Sequence, residues 1–210
     1  MEIPTPRGSL SGDLMLPRGA NAVVAFAHGS GSSRFSPRNR AVADILVGRG
    51  LGTLLVDLLT EEEGERDEIT AELRFDIPLI GTRMVSVVDR LTSDTRTRHM
   101  PIGLFGASTG AAAALIAAAA RPETVRAVVS RGGRPDLAAE TLPRVRAATL
   151  LLVGGADPEV LRLNRQALKR MRAPVRELVV IEGATHLFEE PGALERVAAL
   201  ASAWFVDHLS

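Results

Sequence analysis

Ser108 is the residue around which chemistry could be organised. It stands in Gly106-Ala107-Ser108-Thr109-Gly110, a match to G-x-S-x-G. The match alone is weak, because glycine and serine are common. Its setting, between an apolar strand-like run and a helix-like run, is the one a nucleophile elbow requires. So tight a turn would strain the serine backbone and project its oxygen above the carboxyl edge of a sheet. The helix N-terminus beneath would favour developing negative charge. The plainer alternative is a glycine-rich turn chosen for packing.

A serine hydroxyl is a poor nucleophile until a base takes its proton. Of the four histidines, His28 ends a strand-like run, His99 lies in a polar stretch and His208 is near the C-terminus. His186 follows the last strand-like run, in Glu182-Gly183-Ala184-Thr185-His186, and is the expected base. The acid should come from a strand end between the two. Asp157 follows Leu151-Leu152-Val153-Gly154-Gly155-Ala156 and fits. A carboxylate there would fix the imidazole tautomer and stabilise the imidazolium. Asp157 before Pro158 would equally cap a helix, and both roles could hold. Asp136 is the competitor.

Attack on a carbonyl puts charge on its oxygen, which backbone N–H groups can stabilise. Thr109, next to the nucleophile, should supply one. The loop His28-Gly29-Ser30-Gly31-Ser32-Ser33 should supply the other, from Ser30. Gly31 and Arg131 are the expected substrate contacts. Arg131 could hold a substrate carboxylate, as its fork suits. Its alternatives are an ion pair with Glu61 to Glu65 or a surface position. The same Gly-x-Gly loop, followed by a strand with Asp57, also looks like a dinucleotide site. Arg34 stands where the third glycine belongs, which disfavours that reading. No G-K-[ST] phosphate loop occurs.

Alternating elements must position these residues. Leu10 to Leu16 alternates like a half-buried edge strand. Ala22 to Ala27 and Thr53 to Leu59 are continuous apolar runs, as in strands covered on both faces. Strands are also expected at Ile102–Ala107, Val125–Ser130, Thr149–Val153 and Glu177–Ile181. Helices are expected from Ser36-Pro37 to Val47, and over Ile77–Leu91, Thr109–Ala120, Val160–Met171 and Leu194–His208. Glu61 to Glu72 reads as a solvated loop or helix start, and Thr92 to His99 as a loop. The alanines of 111–120 would let a helix lie close to the sheet. Repeated β-then-α units imply an α/β fold, a mostly parallel sheet with helices on both faces.

The chain has 210 residues, with Lys plus Arg and Asp plus Glu both at 25. That suits one domain over 1–210 and leaves no basic excess for nucleic acid. The absence of cysteine removes disulfides, thiolate metal sites and a cysteine nucleophile. No metal site and no cofactor are expected. Met1 to Pro17 lacks the basic-then-apolar pattern of a secretory signal, and no run is long enough to span a bilayer. A cytoplasmic protein, monomer or homodimer, with no membrane partner is expected.

The elbow, the acid and histidine loops and the HG-x-G loop resemble the α/β-hydrolase superfamily. More narrowly, the chain resembles small dienelactone-hydrolase-like proteins, including hydrolase domains fused to phosphoribosyltransferases. Ser36-Pro37-Arg38-Asn39, the segment from Ser130 to Leu137, and Gly183-Ala184-Thr185-His186-Leu187-Phe188 also carry the likeness. The resemblance implies an α/β-hydrolase fold. One departure matters: dienelactone hydrolases use a cysteine nucleophile, where this chain has Ser108. Serine members look like carboxylesterases. The expected function is a serine hydrolase of small or short-chain esters, through an acyl-enzyme on Ser108. Lactonase, thioesterase or phosphotriester hydrolase activity would use the same parts, and a non-catalytic binding protein is the alternative class. The short segment between Ser130 and Thr149 leaves no room for a cap domain, so an open site is expected.

Overall fold

The computed structural model describes residues 1–209. Its elements in chain order are β1 (Glu2–Thr5), β2 (Gly8–Met15), β3 (Val23–Ala27), α1 (Pro37–Gly48), β4 (Gly52–Val56), α2 (Glu61–Thr70) and α3 (Ile77–Ser93). Then come β5 (Ile102–Ala107), α4 (Thr109–Ala120), β6 (Val125–Arg131), β7 (Ala148–Gly154), α5 (Pro158–Arg170), β8 (Arg176–Ile181) and α6 (Ala193–His208). The strands form one sheet in the order β1-β2-β4-β3-β5-β6-β7-β8. From β4 onward in that order all neighbours are parallel, whereas β1 and β2 run antiparallel.

Every residue of β3, β4, β5 and β7 is buried. Apolar side chains alternate between two cores, one on each face. Val23 and Ala25 join Leu104, Val128, the α4 alanines and Met84 of α3. Val24 and Phe26 join Phe105, Val129, Val42 and Leu46 of α1, and Val197 and Trp204 of α6. With both faces apolar, these strands read as unbroken runs, and the chemistry is left to their carboxyl ends.

Two sequence expectations change, and one reading left open, the acidic stretch, is decided. The strand around Leu10 is not the edge: β1 pairs outside it, with Glu2 opposite Ser11 and Ile3 opposite Leu10. Glu-Ile-Pro-Thr is too short to show a period, and only its Ile3 is buried. The acidic stretch is a helix, α2, opened by a capping box. Thr60 Oγ1 accepts from the Glu63 N–H, and the Glu63 carboxylate accepts from the Thr60 N–H. The strand after Gly52 stops at Val56, freeing Asp57 to Thr60 for a loop. Between β6 and β7 lie only two short 3-10 turns, Pro135–Ala138 and Leu142–Arg144. No separate cap occurs among the described residues, as the sequence implied. None of their helices is long and apolar enough to cross a membrane.

Candidate active site

Ser108 sits between the end of β5 and the start of α4 with φ 49° and ψ −119°. A left-handed φ on a residue with a Cβ is strained and persists only where the surroundings enforce it. The enforcing contacts are backbone bonds. The Ser108 N–H donates to the Arg131 carbonyl at 3.2 Å, and its own carbonyl accepts from Ala111 and Arg134. Gly110 completes the turn, since a Cβ there would overlap the carbonyl oxygens of Ala27 and His28. Ser108 holds the N-cap position of α4, yet its side chain makes no capping bond. The oxygen is turned instead toward His186.

His186 Nε2 lies 3.3 Å from Ser108 Oγ, and Nδ1 lies 2.8 Å from Asp157 Oδ2. With Nδ1–H donating to the carboxylate, Nε2 is left to accept the serine hydroxyl. The loop carrying His186 closes over β6 because residue 132 is glycine. A Cβ there would come 3.0 Å from the His186 carbonyl oxygen, and its φ is +52°. Asp157 also caps α5: Oδ1 accepts from the Val160 N–H at 3.3 Å. One carboxylate thus both caps α5 and bonds the His186 ring. Asp136 lies elsewhere, held by Arg134 at 2.8 and 2.9 Å.

A cavity of about 870 Å³ lies along the His28 to Ser33 loop and reaches Thr109, the residue after Ser108, while Ser108, Asp157 and His186 are not among its lining residues. Ser30, Gly31 and Thr109 line it. Neither the Ser30 nor the Thr109 N–H has a partner among the backbone bonds of the loops and turns. Both are therefore available to an oxygen in the cavity. His28 fixes this loop. Its Nδ1–H donates to the Gly29 carbonyl at 2.8 Å, and Nε2 accepts from the Leu58 N–H at 3.1 Å. Nε2 must be unprotonated to accept, and burial holds the imidazole below its ordinary pKa despite the Gly29 bond and the Asp57 charge. Arg34 closes the other end of the loop, donating its backbone N–H (2.7 Å) and its guanidinium to Asp57. The acidic residue of the dinucleotide reading is therefore engaged with Arg34.

The far wall is α2, which sequence reasoning left undecided. Thr60, Glu61, Gly64, Asp67, Glu68 and Arg74 line it. Buried Asp67 accepts from the N–H groups of Leu73 (2.7 Å) and Arg74 (3.0 Å) and from Arg74 Nε (2.7 Å). Burial alone would raise this carboxyl; the Arg74 and Leu73 bonds outweigh it and hold it low. The clasp sets the Arg74 guanidinium against Gly31, 3.2 Å from where a Cβ would stand. No motif announces this pair; only the capping box Thr60-Glu61-Glu62-Glu63 could have flagged the helix. The site is thus walled on one side rather than fully open. Arg131 is buried, is absent from the cavity lining as the triad residues are, and pairs with none of Glu61 to Glu65. Among the described residues no cluster of His, Asp and Glu could hold a metal ion.

The arrangement joins a strained serine, an imidazole, a carboxylate and two unpaired amides at the carboxyl edge of a parallel sheet. The dienelactone hydrolase family matches residues 10–206. The chain is similar to a dienelactone hydrolase of Anabaena variabilis, with 56% identity, a TM-score of 0.98, and coverage of 100% of this chain and 97% of that one. A Mycobacterium tuberculosis protein provisionally named a phosphoribosyl transferase is 54% identical over 200 residues, 95% of this chain and 44% of its own. The chain spans about half the length of the curated relatives it matches. Est1E of Butyrivibrio proteoclasticus shares the fold, with a TM-score of 0.82 at 16% identity over 99% of this chain and 97% of that one. The extent of the family match and the 56% identity place this chain in the dienelactone hydrolase family, among the α/β hydrolases.

Proposed function

We propose that this hydrolase cleaves small or short-chain carboxylic esters through an acyl-enzyme on Ser108. The observation that carries the reading is the continuous line from Ser108 Oγ through His186 to Asp157, at 3.3 and 2.8 Å. Ser108 Oγ attacks the ester carbonyl while His186 Nε2 takes its proton. Asp157 keeps the imidazole in the required tautomer and stabilises the imidazolium. The Ser30 and Thr109 amides receive the oxyanion. Collapse expels the alcohol, which takes the proton back from His186. Water then enters by the same route, and the acid leaves. The cavity of about 870 Å³ that reaches the Thr109 amide has room for a small-molecule substrate. The phosphoribosyl transfer in the Mycobacterium tuberculosis relative's name is not carried over, because this triad supports hydrolysis and the chain covers only 44% of that protein.

A fluorophosphonate probe should label Ser108, and Ser108→Ala should lose the label. The same variant should lower turnover of p-nitrophenyl acetate by at least about 10⁴-fold. Undiminished turnover would remove Ser108 from the mechanism, and absence of labelling would favour a binding protein. Thioesters, lactones and phosphotriesters in the same assay separate the bond types this triad could serve.

A further inference from the structure

Two peptide groups stand between a buried side chain of α5 and the amide that would receive the oxyanion. Thr109 opens α4, so its N–H has no carbonyl partner within the helix, and the residue lines the cavity. The same peptide group carries the Ser108 carbonyl, which accepts from the Arg134 N–H at 3.1 Å. That N–H in turn shares a peptide group with the Gly133 carbonyl, which accepts from Asn164 Nδ2 at 2.9 Å. The carbonyl and N–H of a trans peptide point opposite ways, so these groups follow one another in a line. It runs from the Asn164 amide through the 133–134 peptide and the 108–109 peptide to the oxyanion position. In such a chain each hydrogen bond polarises the next.

Packing alone does not call for asparagine here. Asn164 is 0% exposed, on the buried stripe of α5 with Val160 and Ala167. An apolar side chain would fill that place with no polar group to satisfy. Nδ2 gives its second hydrogen to the Val160 carbonyl at 2.8 Å, and Oδ1 has no partner among the described residues. Both bonded neighbours are carbonyl oxygens, so the position requires two N–H donors. Val160 donates its own N–H to Asp157 Oδ1, which anchors the amide one turn beyond the triad acid. Gly133 is equally constrained, since a Cβ there would overlap Ser130 Oγ and the Ala111 Cβ. Residues 131–134 thus hold the Ser108 backbone from both sides, through the Arg131 carbonyl and the Arg134 N–H. Asn164 is the side chain that ties this segment to α5.

We propose that Asn164 is a positioning residue that orients the Thr109 amide toward the oxyanion, acting through the two peptide groups between them; this rests on the esterase reading of Ser108. Asn164 bonds no side chain of the triad. Its effect belongs to the transition state, where the charge is on the oxygen, and not to the bound ester.

Asn164→Ala should lower kcat on p-nitrophenyl acetate about tenfold and change KM by less than about twofold. Deleting an oxyanion donor outright costs more, about 10²–10³-fold. The inhibition constant of phenylboronic acid, whose serine adduct is tetrahedral and anionic, should rise about tenfold in step. Asn164→Ser can return its hydroxyl to the Val160 carbonyl but is too short to reach Gly133 as well, so it should show the same losses. Ala167→Gly loosens the same helix face without touching the chain of bonds. It should lower the urea midpoint and leave kcat and the boronate constant at parental values. In the parent, NMR spectra that show couplings across the hydrogen bonds of α4 should also show one from the Arg134 nitrogen to the Ser108 carbonyl carbon. That measurement needs neither turnover nor a folded variant. An unchanged kcat in a folded Asn164 variant, a rise in KM alone, an equal loss of kcat in Ala167→Gly, or absence of that coupling would each overturn the proposal. A parent with no Ser108-dependent turnover would remove the esterase reading and this proposal with it, whereas an active parent with indifferent Asn164 variants removes this proposal alone.

Discussion

At the scale of the residue, Asp157 does two separable things. Oδ2 holds the imidazole and Oδ1 caps α5. Asparagine keeps a capping oxygen but offers His186 no carboxylate. Asp157→Asn should therefore lose about 10⁴-fold in kcat on a p-nitrophenyl ester with little change in urea midpoint. Asp157→Ala should lose the same activity and about 1 kcal/mol of stability as well. Asp136→Asn should leave turnover near the parent's, because that carboxylate serves Arg134. A large activity loss in Asp136→Asn with Asp157→Asn unaffected would reverse the assignment of the acid. The sequence made Ser108, His186 and Asp157 legible because each follows a strand-like run, where a parallel sheet gathers its loop residues. Arg131 was visible as a charge after a strand, but not its depth. Its burial depends on α1 crossing that strand end, a contact between residues 92 positions apart.

At the scale of the element, the His28 to Ser33 loop is held by neighbours rather than by itself. Gly110 at the start of α4 lies against the last carbonyls of β3, so Gly110→Ala should cost about 3 kcal/mol in urea unfolding by overpacking backbone on backbone. A cost under about 0.5 kcal/mol would show that the loop yields freely. His28 bolts the same loop to the end of β4 as a neutral imidazole. Its folded pKa lies below 6.5, so as pH falls the unfolded chain binds the proton first. The stability from His28 is complete above pH 6.5 and is lost as pH drops from there toward the folded value. Urea midpoints at pH 7.5 and 5.5 should therefore differ more in the parent than in His28→Gln. An equal difference in both would remove His28 from the account. The buried strands were legible as continuous apolar runs. By contrast β1 offers four residues, one of them Pro4, and α2 is mostly charged with one buried side chain, Asp67. Neither presents an apolar period, and both exist because a neighbouring element receives them.

Across the whole molecule, the topology divides labour between the two sheet faces and one sheet edge. The faces bury the apolar mass; the carboxyl edge carries Ser108, Asp157, His186 and the His28 loop. Order along the chain could predict that division, because parallel strands place all their exits together. It could not predict the cavity's far wall, which depends on the Asp67–Arg74 clasp folding α2 back toward Gly31. Loosening that wall should alter binding before chemistry. Asp67→Asn should raise KM for a short ester by about tenfold, roughly 1.4 kcal/mol, while kcat changes less. A fall in kcat with KM unchanged would place Arg74 in the chemical step instead.

The double attachment of Asp157 also bears on how related chains are to be read. A side chain that anchors a helix is worth keeping on grounds of durability, whether or not the molecule still turns anything over. A lineage that abandoned hydrolysis would have reason to retain its aspartate for as long as it retained α5. The ring of His186 has no such second employment, since its nitrogens bond only Ser108 and Asp157. In a descendant freed from catalysis the histidine would drift first, which makes it, rather than the acid, the telling position for inherited activity.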